Sequence, residues 1–119
     1  MHYGRDFAAA PGTPIVATAD GVVSYVGYEG GYGKIVAIDH GYGVRTRYAH
    51  NSQIYVQLGQ KVSRHDVIAA VGSTGRSSGP HLHYEVRVND IPVDPINYIK
   101  KASCKELAFL FLGGEARPK

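Results

Sequence analysis

The chain has a single cysteine, Cys104, among its 119 residues. No intrachain disulfide can form, and no thiolate set exists for a structural metal. Long apolar runs are also missing. The longest, Leu107-Ala108-Phe109-Leu110-Phe111-Leu112, falls far short of the roughly 20 residues that span a bilayer, so no transmembrane segment is expected. Charge of one sign is scarce as well: 13 Lys and Arg against 10 Asp and Glu leave +3, with a pI near 9.0 and no basic run. Without a basic stripe or a stacking-aromatic motif, nucleic-acid binding has no support, although weak attraction to an anionic polymer is compatible with the balance. Internal repeats and low-complexity tracts are absent. A chain of this length makes one domain that buries roughly 60% or more of its unfolded surface, so it needs no staple.

What is present is glycine, 15 residues of it, punctuating segments of period two. Residues 15–19, 21–28, 34–40, 44–51, 61–62, 67–71 and 81–88 read as strands, several rich in β-branched side chains. Gly30-Gly31-Tyr32-Gly33 and Gly41-Tyr42-Gly43 join consecutive strands by few residues, which favours antiparallel hairpins. The expected fold is all-β and compact. The stretches from Gly21 to Gly27 and from Gly59 to Gly72 resemble biotinyl/lipoyl-type modules, which implies an antiparallel barrel-sandwich hybrid; no lysine stands in the hairpin context that a carrier needs. Near the end, Asp94 with Pro95 can start a short helix toward Lys100. Ser103-Cys104-Lys105-Glu106 has the form of a capping box leading into the apolar run, stopped by Gly113-Gly114. The division is therefore a β domain over 1–100 and a short helical extension over 101–119, with the apolar run docked on the barrel and a monomer expected.

The chemistry is concentrated in few residues. His81-Leu82-His83 sits in Gly79-Pro80-His81-Leu82-His83-Tyr84-Glu85-Val86, and two histidines one residue apart on a strand share a face, their Cα atoms about 6.6 Å apart. One can bind a metal while the other reaches the metal's water. At the start of the chain, His2-Tyr3-Gly4-Arg5-Asp6 supplies an imidazole and a carboxylate on a loop or strand edge. In residues 44–51, a strand puts Val44, Thr46, Tyr48 and His50 on one side, so His50 is a candidate for the same cleft and Tyr48 a candidate to touch substrate. Each residue has a bland reading too. His2 could bind adventitious metal with the terminal amine, Asp6 could cap a turn, and His50, His81 and His83 could be structural. Glu85 is placed either to hydrogen-bond a ligand imidazole or to make a plain strand salt bridge. His40, before a hairpin turn, reads as structural and His65 as a solvated turn residue. Tyr28, Tyr32 and Tyr42 stand on glycine-rich turns that could wall a groove.

Taken together, HxGxD followed by Phe-Ala-Ala and Pro-Gly-Thr-Pro, Tyr-Ala-His at mid-chain, and Gly-Ser-Thr-Gly leading to Gly-Pro-His-Leu-His-Tyr-Glu-Val resemble the lysostaphin-type (LytM-like) zinc metallopeptidases over roughly residues 1–98. The resemblance implies that His2, Asp6 and His83 bind Zn2+ and that His81 and His50 are catalytic histidines outside the ligand set. It implies a zinc-dependent endopeptidase that hydrolyses peptide cross-bridges or stem peptides of bacterial peptidoglycan through a metal-activated water, in the periplasm or outside the cell. One alternative is a silent scaffold of the same fold that activates a cell-wall amidase; such relatives lose zinc ligands, and this chain keeps all three. Another is a barrel-type binding module, which has no use for five placed polar residues. Met1 is followed at once by the first ligand, without a basic and apolar leader, so the chain is expected to begin at the motif, with fewer residues than usual to wall the cleft and to steady His2.

Overall fold

The computed structural model describes residues 4–75 and 79–93. These form nine strands: β1 (Arg5–Ala8), β2 (Pro14–Val16), β3 (Gly21–Glu29), β4 (Gly33–Gly41), β5 (Val44–Ile54), β6 (Lys61–Val62), β7 (Val67–Val71), β8 (His81–Val88) and β9 (Ile91–Val93). Every pairing is antiparallel, and the sheet runs β1-β8-β5-β4-β3-β6, with β7 joining β5 to β2 and β9 closing on β8. The all-β expectation holds throughout, and no helix occurs among the described residues. The expected helices at 94–100 and 103–112, the division near residue 100 and the ligand candidate His2 all lie outside them.

Strand bounds follow the alternation of side chains. In β8, Leu82, Tyr84 and Val86 turn into the core while His81 and His83 turn away; in β5, Thr46 and Tyr48 turn in while Arg45 and Arg47 turn out. Ile15, Val23, Val36, Ile38, Ile68 and Val71 complete the interior. Two strands lie beyond the expected set. β1 is a short edge strand where the sequence, with Ala-Ala-Ala-Pro-Gly following without alternation, left Asp6 on a loop or strand edge. β9 is created by Asn89 and Asp90, both in the left-handed region (φ 52° and 67°), which is the pairing a two-residue hairpin of type I′ demands.

β5 organises the sheet. It pairs with β4 on one side, and on the other with β8 as far as Ala49 and with β7 from Asn51 onward. The residue at that change of partner is His50.

Candidate metal centre

Pairing of β1 with β8 sets Asp6 directly opposite His83 and Ala8 opposite His81. Asp6 Oδ1 lies 2.7 Å from His83 Nδ1 and 3.5 Å from His81 Nε2, so one carboxylate oxygen serves as the meeting point of both rings. The other nitrogen of His83, Nε2, donates to Glu85 Oε2 at 2.8 Å. A carboxylate at each nitrogen favours the doubly protonated ring. Burial works against that charge, but the hydrogen bonds to Glu85 and Asp6 outweigh it and raise the His83 pKa above 6.5.

Gly4, at the centre of the first motif, is required by this ring. A side chain there would meet His83 Nε2 at 2.6 Å and press on Cε1 beside it. The glycine lets β1 lie over the imidazole and bring Asp6 to its Nδ1 edge.

His50 reaches the site by a break in strand geometry. Its φ is +64°, a region that non-glycine residues rarely adopt. The turn ends the pairing with β8, hands its N–H to Tyr32 O at 2.8 Å, and sets its ring 4.8 Å from that of His81 and 5.9 Å from that of His83. Nδ1–H donates to the carbonyl of Thr74 at 2.7 Å, which leaves Nε2 as the basic nitrogen. Burial lowers the His50 pKa below 6.5, so the ring is neutral at pH 7. His81 is fixed the same way round: its Nδ1 donates to Gly79 O at 2.9 Å, and Nε2 faces Asp6.

Thr74 is itself held by close backbone contacts. Its hydroxyl donates to Asn51 O at 2.7 Å and accepts from the Lys34 N–H at 3.1 Å. Gly75 lies so near the preceding glycine loop that a Cβ would sit 2.7 Å from Gly33 Cα. The Gly-Ser-Thr-Gly segment is therefore the clamp of His50, a role that its spacing alone does not announce.

Glu85 has both oxygens engaged. Oε1 accepts from Arg87 at 3.2 Å and lies 3.9 Å from Arg47 Nε, and the Tyr32 hydroxyl interacts with the same carboxylate. Burial pushes its pKa up, but the hydrogen bonds from His83 and Tyr32 prevail and hold it at about 2. Tyr32 stands over the site, its ring 5.8 Å from His83 and 5.1 Å from the Arg47 guanidinium.

The structure brings Asp6, His50, His81 and His83 together but keeps Tyr48 out. Tyr48 is 0% exposed, and its hydroxyl bonds Thr46 and Thr18 inside the core. The expectation that it touches substrate rested on sharing a face with His50, and the left-handed turn at His50 breaks that alternation. His40 is structural, as expected, with Nδ1 donating to Asp20 O and Nε2 on Thr46 Oγ1. His65 is exposed in the turn before β7. The role of Tyr32 and the need for Gly4 had only general signals, an aromatic on a glycine-rich turn and a glycine between two polar residues.

The donor set fits a small divalent cation. Among the described residues no group of three His, Cys, Asp or Glu is placed to hold a metal, and Asp6 with His83 supplies two donors. A carboxylate and an imidazole meeting at 2.7 Å need to part by only about 0.7 Å to accept an ion bonded tetrahedrally to each at the usual 2.0–2.2 Å. At 63% exposed, the Asp6 side chain leaves that junction open to solvent.

The model of peptidase family M23 matches residues 1–95. The chain belongs to that family. An M23 relative from Neisseria meningitidis, the DD-carboxypeptidase/endopeptidase Mpg, is 53% identical over 97 residues, which are 82% of this chain and 22% of that protein. The peptidoglycan DD-endopeptidase ShyA of Vibrio cholerae is 48% identical over 93 residues, 78% of this chain and 22% of its own. This M23 chain therefore spans about a fifth of the length of those relatives. Among solved structures, the catalytic domain of the antimicrobial peptidase lysostaphin from Staphylococcus simulans superposes with a TM-score of 0.80 at 35% identity, covering 84% of this chain and 80% of that one. The lysostaphin-type resemblance is thus confirmed in both sequence and fold.

Proposed function

We propose that this M23 domain is a zinc-dependent endopeptidase acting on peptide amides of bacterial peptidoglycan, and that it works in the cell envelope or outside the cell. The observation that carries the reading is the convergence of His83 Nδ1 and His81 Nε2 on one Asp6 oxygen, with His50 packed against both rings. Support for the substrate comes from the relatives whose names specify DD-endopeptidase activity, and one of them peptidoglycan.

His2, Asp6 and His83 are the proposed zinc ligands. When bound, the ion polarises a scissile carbonyl and lowers the pKa of a water toward about 7. The protein's part is to hold the bases. His50 and His81 each donate Nδ1–H to a backbone carbonyl, which turns Nε2 toward the site; that of His81 lies 3.5 Å from Asp6 Oδ1. A neutral imidazole so fixed can take a proton at Nε2 from the attacking water and return it to the leaving amine. His50 cannot donate from Nε2 until it has gained that proton, so oxyanion stabilisation by it follows the first transfer rather than preceding it. Burial keeps His50 neutral near pH 7, which suits it to accept.

Zinc analysis together with mass spectrometry of muropeptides, on wild type and on His81→Ala, tests the reading. One zinc per chain in both proteins, with peptide cleavage by wild type alone, is expected. Zinc-loaded wild type that leaves the wall intact yet stimulates an amidase contradicts it, and so does a wild type without zinc.

A further inference from the structure

We infer that Glu85 is a positioning residue for the metal site: its carboxylate accepts a hydrogen bond from Nε2–H of His83 and thereby fixes Nδ1 as the nitrogen that faces Asp6. The inference rests on the proposed role of His83 as a zinc ligand, and it adds a residue that touches neither ion nor substrate. Three features separate it from a plain strand salt bridge. First, Glu85 is buried, its side chain 7% exposed, and its nearest partner is the imidazole at 2.8 Å rather than an arginine. An exposed pair would contribute little, whereas a buried directional bond fixes both ring rotation and tautomer. Second, the carboxylate is itself immobilised, because Arg87 binds Oε1 at 3.2 Å and Arg47 Nε lies 3.9 Å from the same oxygen, with the Tyr32 hydroxyl interacting beside them. Third, the imidazole is packed from the opposite strand by Gly4, where no side chain fits. His83 thus has one allowed orientation, with Nε2 on Glu85 and Nδ1 on Asp6. A ring free to flip would present Nε2 to the cleft, and the ion's position relative to His81 and His50 would move with it.

Chelator competition on the full chain gives zinc affinity for wild type, Glu85→Gln, Glu85→Ala, Tyr32→Phe and His83→Ala, with thermal unfolding of the metal-free proteins as a fold control. Glu85→Gln keeps the shape and an acceptor oxygen but not the charge, and is expected to weaken zinc about tenfold; Glu85→Ala is expected to approach about a hundredfold. Tyr32→Phe frees the carboxylate on one side and is expected to fall between wild type and Glu85→Gln. Nitrogen NMR of zinc-loaded wild type should show His83 with its proton on Nε2, and the zinc-loaded Glu85→Gln protein should show that signal broadened or shifted toward exchange. A folded Glu85→Gln that binds zinc as tightly as wild type and keeps the same His83 signal overturns the inference, leaving Glu85 a partner of arginines only. Unchanged zinc binding by His83→Ala would instead sink the underlying zinc reading, so the two failures are told apart.

Discussion

At the scale of single residues, His83 is confined from three sides: Asp6 at Nδ1, Glu85 at Nε2 and Gly4 against the ring edge. Gly4→Ala adds one methyl group where no room exists, so the ring must rotate or β1 must lift. Zinc affinity should fall by about ten- to a hundredfold while the β-sheet signature in circular dichroism stays unchanged. An alanine variant that binds zinc normally would show that β1 yields without cost. His50 makes the contrasting case, since it touches His81 and His83 rings but is outside the proposed ligand set. His50→Ala should keep its zinc and lose about 10²- to 10⁴-fold in kcat on cross-linked muropeptides. Loss of zinc from this variant would move His50 into the ligand set.

Among the elements, β5 decides the site because it changes partner from β8 to β7 at a left-handed residue. The Gly-Ser-Thr-Gly segment holds that turn through the Thr74 carbonyl, and Gly75, itself at φ +74°, lies against Gly33. Gly75→Ala should therefore cost roughly 1 to 3 kcal/mol in urea unfolding and lower kcat, with zinc affinity unaffected because Thr74 holds His50, which is outside the proposed ligand set. Equal losses of zinc and activity would mean that the segment supports the whole centre.

These elements also show where the chain was readable. The bounds of β6, β7 and β8 were all legible, β7 as a short apolar run and β8 through the alternation that also gives the shared face of His81 and His83. Asp6 was readable as a chemical type and as an edge residue, though its register against His83 depends on a pairing 77 residues distant. What alternation misplaced was Tyr48: a period of two carries its side to His50 only if φ stays negative, and no local residue type signals the reversal. Thr74 escaped notice because it reaches His50 through its backbone carbonyl, which no residue type announces.

Across the whole molecule, the β-core encloses two phenols, Tyr48 and Tyr84, linked through the Thr18 hydroxyl. Burial pushes both pKa values above the ordinary 10, because an ionised phenol there would lose its hydration. The sign is that of a group holding its proton more tightly when folded. The stabilisation is fully present below about pH 10, the unfolded value, and is lost as pH rises above it. Unfolding free energy measured from about pH 9 to 11 should fall steeply, and Tyr48→Phe should flatten the slope while lowering stability at pH 7 by leaving Thr18 and Thr46 with one partner fewer. An identical slope in the variant would place the alkaline sensitivity elsewhere.

The ligand assignment is tested most directly by anomalous scattering at the zinc edge from crystals of the zinc-loaded chain. The account predicts one peak within about 2.0–2.2 Å of both Asp6 Oδ1 and His83 Nδ1, with His2 completing the protein donors and His81 and His50 outside bonding distance. A peak bound by His81 or by His83 Nε2, or no peak beside Asp6, would contradict it.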